Sequence, residues 1–222
     1  MSKTRAWISV IVGFAGSLAA CLGVIFLTNS FMMSLPLILR MAFMIISYWL
    51  IAVPAIILAI IFKDKLRDFG FVKDKLFIQI LLGVGIGAGM SLILTLVPHL
   101  AGFGSFVDNG HRYKYVWQFI FEFAYCILGV AAVEEFVFRG FIYEYLKRIW
   151  NKDVFALIVS SVLFGLFHIF NGNIIQLFMT ALIGAFFCFC RLKIKNCTTT
   201  TLIIAHGVYD ALITVWASIL LA

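Results

Sequence analysis

Glu134 and Glu135 stand side by side, and Arg139 follows four residues after the second, in the run Glu134-Glu135-Phe136-Val137-Phe138-Arg139. Phe164 and His168 share the same spacing in Phe164-Gly165-Leu166-Phe167-His168. So do His206 and Asp210 in His206-Gly207-Val208-Tyr209-Asp210. On a helix, residues four apart lie on one face, so each motif is a local pair. Glu135, N-terminal to Arg139, makes a favourable ion pair with it. Glu134 lies about 100° round the helix and lacks that partner. Its carboxylate is then free to take a proton from water as a general base.

The elements that must carry these groups follow from composition. Of 222 residues, 64% are hydrophobic and 12% charged, and 24 are Phe. Soluble domains run near about 45–50% apolar and about 25% charged, which excludes a water-soluble globule. With 3 Pro, 17 Gly and no repeat, disordered and collagen-like chains are excluded too. The expected fold is all-α, a polytopic bundle of about seven transmembrane helices forming one integral membrane domain over 1–222. The apolar segments are Ala6–Thr28, Leu39–Phe62, Leu76–Val97, Tyr115–Leu146, Val154–Phe170, Ile174–Cys190 and Thr200–Leu221, all but the longer fourth close to the roughly 20 residues a span needs. Loops fall at Asn29-Ser30, the charged run from Lys63 to Asp68, Pro98 with Gly102 and Gly104, Asn171-Gly172-Asn173, and Arg191 to Asn196.

A net charge of +7 would suit nucleic acid in a soluble chain. Here the charge sits in loops. Thirteen Lys and Arg lie before the first segment and in the second, fourth and sixth connections, against three (Arg40, Arg112, Lys114) in the alternate ones. By the positive-inside rule this predicts an N-terminus inside and a C-terminus outside, and no nucleic-acid partner. Four of the five cysteines (Cys21, Cys126, Cys188, Cys190) lie in apolar segments, with Cys197 in a loop, so no disulfide framework is expected. Leu18-Ala19-Ala20-Cys21 has the look of a lipoprotein processing site, but the apolar run continues past it to form a full span. Gly83, Gly85, Gly87 and Gly89 make two overlapping G-x-x-x-G patterns, a close-packing face.

Ionisable side chains inside a span are costly and mark function by default. Away from the segment ends these are Glu122, Glu134, Glu135, Arg139, His168, His206 and Asp210. At about 1.5 Å per residue, Glu134 is roughly 20 Å along its helix from Lys147, and His168 about 24 Å from Lys152. His206 and Asp210 are about 16 and 22 Å from Lys195. Three segments of equal sidedness thus bring two carboxyls and two imidazoles to similar depth. Glu122 has no motif partner and is expected to make an outer-leaflet or interhelical polar contact.

The ordered motifs resemble those of the CAAX protease and bacteriocin-processing (Abi) family of intramembrane glutamic endopeptidases, over about Trp117 to Leu221. The catalytic core would then span about 115–221, with three accessory spans in 1–98. The resemblance implies that Glu134 and His168 activate the hydrolytic water and that His206 and Asp210 form an oxyanion site. Glu135, Arg139 and Phe164 would support them. It implies no cofactor and no metal, a lipid bilayer, and a membrane-associated peptide or protein as substrate. Eukaryotic members trim prenylated CAAX proteins, and bacterial relatives are linked to bacteriocin immunity and peptide maturation. The position of Asp210 is often Asn in the family. An amide donates to an oxyanion and an ionised carboxylate cannot, so Asp210 either is protonated or orients His206.

Other classes remain open on sequence alone. A zinc protease could use His168, His206 and carboxylates, although H-E-x-x-H is absent. A non-catalytic immunity factor or scaffold is a second alternative. A proton-relaying transporter is a third, without an evident inverted repeat. The expected location is a bacterial cytoplasmic membrane.

Overall fold

The computed structural model describes residues 2–107, 110–171 and 174–220. It is built from seven helices long and apolar enough to cross a membrane, and no strand occurs among the described residues. They are α1 (Lys3–Ser34), α2 (Leu37–Phe62), α3 (Leu76–Phe103), α4 (Val116–Trp150), α5 (Asp153–Phe170), α6 (Ile174–Lys193) and α7 (Thr199–Leu220). The chain is a multi-pass membrane protein. In hydrocarbon only helices or closed barrels satisfy every backbone group, and these apolar runs wind accordingly. Gly172 and Asn173 of the expected fifth loop, and the segment end at Leu221, lie outside the described residues.

α4 is the central helix. From Val133 to Tyr143 every side chain is buried. Phe138 packs edge-on against Phe164 and Phe167 of α5, and Phe141 lies against Tyr145 and Phe69. Outside this core, large apolar side chains such as Ile38, Ile60, Phe77 and Val116 are exposed, as a surface bathed in lipid requires. α3 packs mainly on α7, α5 on α6, and α1 on both α2 and α4.

Of the two glycine patterns on α3, one is a packing face and the other is not. A Cβ at Gly83 would lie 2.7 Å from Ile204 Cβ, and one at Gly87 would collide with the Ala205 carbonyl, so both let α7 approach. Gly85 and Gly89 face open space.

The connections rich in basic residues meet at one end of the bundle. Arg5 donates to the Phe62 carbonyl at 3.1 Å, Arg148 pairs with Asp64 at 3.0 Å, and Arg191 pairs with Glu144. Thr199 donates to the Phe69 carbonyl at 2.7 Å. At the opposite end, Glu122 accepts from Tyr113 at 2.9 Å and from Thr214 at 2.7 Å. It is therefore the interhelical polar contact expected of it. Burial and the Glu122 carboxylate beside it push the Tyr113 phenol up, so it remains a donor. All five cysteines are free, and burial raises the Cys197 thiol to about 12.

Candidate active site

The two adjacent glutamates occupy a single α-helical turn, Ala132–Glu135, between two more loosely wound stretches with π-type hydrogen bonding, Cys126–Ala131 and Phe136–Ile142. Such local widening re-aims side chains and recurs at functional sites. The Gly207 backbone of α7 approaches the first of these stretches closely. A Cβ there would lie 2.7 Å from Ile127 Cα. This contact brings His206 of α7 against the glutamates of α4.

Glu135 is fully buried, and its Oε1 accepts from Arg139 Nη1 at 2.9 Å and from His206 Nδ1 at 2.8 Å. The Arg139 guanidinium, 1% exposed, lies 3.9 Å over the Phe164 ring, a cation–π contact strengthened by desolvation. The expected i, i+4 ion pair is present, and a histidine from another helix extends it. A carboxylate paired with arginine only accepts, so His206 Nδ1 carries a proton, and Nε2 points toward Asp210 Oδ2 at 3.3 Å and Glu134 Oε2 at 3.9 Å. Arg139→Ala would strand Glu135 as a buried carboxylate, and breaking a buried pair costs about 3–5 kcal/mol. The variant is expected to melt at lower temperature in detergent and to lose activity. An unchanged melting temperature would contradict the pairing.

His168 follows directly on the last α-helical residue of α5, where the chain tightens into a 3₁₀ turn, His168–Asn171. Its Nδ1 lies 2.9 Å from the Phe164 carbonyl, and its ring stands edge-on to Phe164 at 4.8 Å. Because a carbonyl only accepts, Nδ1 carries a proton, and in the neutral ring Nε2 is the acceptor. Phe164 therefore touches both His168 and Arg139, which its position in the motif alone does not reveal.

Glu134 is not unpartnered, in contrast to the expectation from helical spacing. Tyr48 of α2 donates its hydroxyl to Glu134 Oε1 at 2.7 Å. Glu134, Phe164, His168, His206 and Asp210 all line one cavity of about 850 Å³. Its other walls are largely apolar, including Ile25, Leu94, Val107, Phe170, Ile175 and Ile213. Glu135 and Arg139 are not part of the lining and sit behind His206. Among the described residues, no group of three or more His, Cys, Asp or Glu is placed to hold a metal ion.

Residues 116–212 match the family model of the Rce1-like type II CAAX prenyl endopeptidases. The matched stretch is similar to that family. It holds all three motifs and runs from the start of α4 into α7, a little less than half of the chain. This bears out the resemblance read from the motifs and supports an intramembrane protease function of the CAAX type. Helices α1 to α3 lie outside the Rce1-like match. No curated protein and no solved structure matches the chain.

Sequence reasoning missed Tyr48, one of seven tyrosines and 86 residues from Glu134, because no motif or spacing links the two. The cavity's lining residues from α1 and α3, such as Cys21 and Thr95, carry no comparable signal.

Proposed function

We propose that this chain is an intramembrane endopeptidase of the glutamic type, hydrolysing a peptide bond of a membrane-associated protein or peptide. The observation that carries the reading is the single cavity onto which Glu134, His168, His206 and Asp210 all open between apolar walls. Glu134, with one oxygen engaged by Tyr48, uses the other to take a proton from water, and the lone pair of His168 Nε2 helps orient that water. The water oxygen attacks the scissile carbonyl. Asp210, protonated, donates to the oxygen as it gains charge, and His206 donates from Nε2 when both its ring nitrogens carry protons. The proton held by Glu134 then passes to the departing amine. Glu135 and Arg139 act at one remove, fixing the orientation of His206 through its Nδ1–H.

The apolar walls suit a membrane-associated substrate, and the proposal covers prenylated CAAX protein, bacteriocin leader and signalling peptide. The basic end of the bundle faces the cytoplasm of a bacterial cell, with the N-terminus inside. The test is a cleavage assay in cells producing either the wild type or Glu134→Ala. The cells also carry a farnesylated CAAX reporter, a bacteriocin precursor or a membrane-anchored signalling peptide. Shortening of one reporter by the wild type alone is expected. Identical reporter patterns in both cell types would contradict the proposal.

A further inference from the structure

Glu134 presents two carboxylate oxygens, and hydrolysis needs one of them aimed at water. Oε1 accepts from Tyr48 at 2.7 Å, while Oε2 is on the side of His206 Nε2, 3.9 Å away. Tyr48 lines the same cavity. It comes from α2, 86 residues earlier in the chain than Glu134 and outside the Rce1-like stretch. Its own position is tied to α4 twice more. The next residue, Trp49, donates its indole N–H to the Leu128 carbonyl at 2.9 Å, within the loosely wound stretch that precedes the glutamates. The Tyr48 ring also stands edge-on to Tyr125 of α4, with centroids 6.4 Å apart. A 3₁₀ turn, Trp49–Ala52, begins directly after Tyr48, and the two consecutive side chains both reach α4.

We propose that Tyr48 is a positioning residue for hydrolysis, holding one oxygen of Glu134 so that the other meets the water. The inference rests on the protease reading above. A phenol is a neutral donor, so it fixes the carboxylate without supplying a competing charge. Misplacing a reacting group by about 1 Å costs on the order of a hundredfold in rate, and a Glu side chain without this anchor can rotate that far. α2 thereby takes part in catalysis and is more than a packing element.

The test compares wild type, Tyr48→Phe and Tyr125→Phe, purified in detergent, on a fluorescence-quenched peptide ending in a farnesylated CAAX sequence and on a bacteriocin-leader peptide. Tyr48→Phe keeps the ring and loses only the hydroxyl. Its kcat is expected to fall about tenfold to a hundredfold, as loss of a hydrogen bond to a charged group implies, with KM within about twofold and the melting temperature unchanged. Tyr125→Phe, which removes the neighbouring phenol, keeps the wild-type kcat. An unchanged kcat in Tyr48→Phe overturns the proposal, and so does a change confined to KM. A loss that tracks a lower melting temperature, or an equal loss in Tyr125→Phe, also overturns it. If the wild type leaves both peptides intact, the protease reading fails and the role of Tyr48 fails with it.

Discussion

Glu134→Gln is expected to abolish hydrolysis while the protein still inserts, accumulates and melts as the wild type does. The amide has the shape of the carboxylate, and its oxygen can still accept from the Tyr48 hydroxyl that Glu134 Oε1 meets at 2.7 Å. What it cannot do is take a proton from water. General-base catalysis contributes typically about 10²–10⁴-fold, so kcat should drop by at least that range. Turnover by the purified variant and its melting temperature in detergent are the two measurements needed. Appreciable remaining turnover would remove Glu134 from the base role and shift attention to His168.

The second large effect is expected at Asp210, whose Oδ2 lies 3.3 Å from His206 Nε2 at the cavity. On sequence alone two roles are open, a protonated donor to the oxyanion or an ionised group orienting His206. The second role is already filled, because Glu135 holds His206 through Nδ1 at 2.8 Å. The mechanism proposed above therefore assigns Asp210 the donor role. Losing one oxyanion donor costs on the order of 10²–10³ in rate, so Asp210→Ala should fall by that factor. Asp210→Asn should keep much of the activity, since the amide supplies a donor at nearly the same place. Equal, severe loss in both variants, with both folded, would show that Asp210 works as a carboxylate.

The seven spans were legible because crossing a bilayer demands about 20 apolar residues, a requirement that leaves little room for other readings. Their ends were less so. α1 begins at Lys3 and α4 runs on to Trp150, since helices continue into charged residues where backbone pairing persists beyond the hydrocarbon. The pairs within a motif could be read from helical spacing, and Glu135–Arg139 and His206–Asp210 are found as read. Contacts between helices could not. The bond from His206 to Glu135 spans 71 positions and that from Tyr48 to Glu134 spans 86, and both depend on how helices cross. The two glycine patterns of α3 show the same boundary. Their spacing is identical, yet only Gly83 and Gly87 face α7. The loosened winding on either side of Ala132–Glu135 has no counterpart in residue periodicity.

The most direct measurement is mass spectrometry of the farnesylated CAAX and bacteriocin-leader peptides after incubation with purified wild-type protein, with and without a zinc chelator, together with metal analysis of the same sample. The account predicts one internal cleavage of at least one peptide, with water added across the bond. Cleavage should be undiminished by the chelator and absent with Glu134→Gln. Intact peptides, or cleavage abolished by chelation in protein carrying stoichiometric zinc, would contradict it.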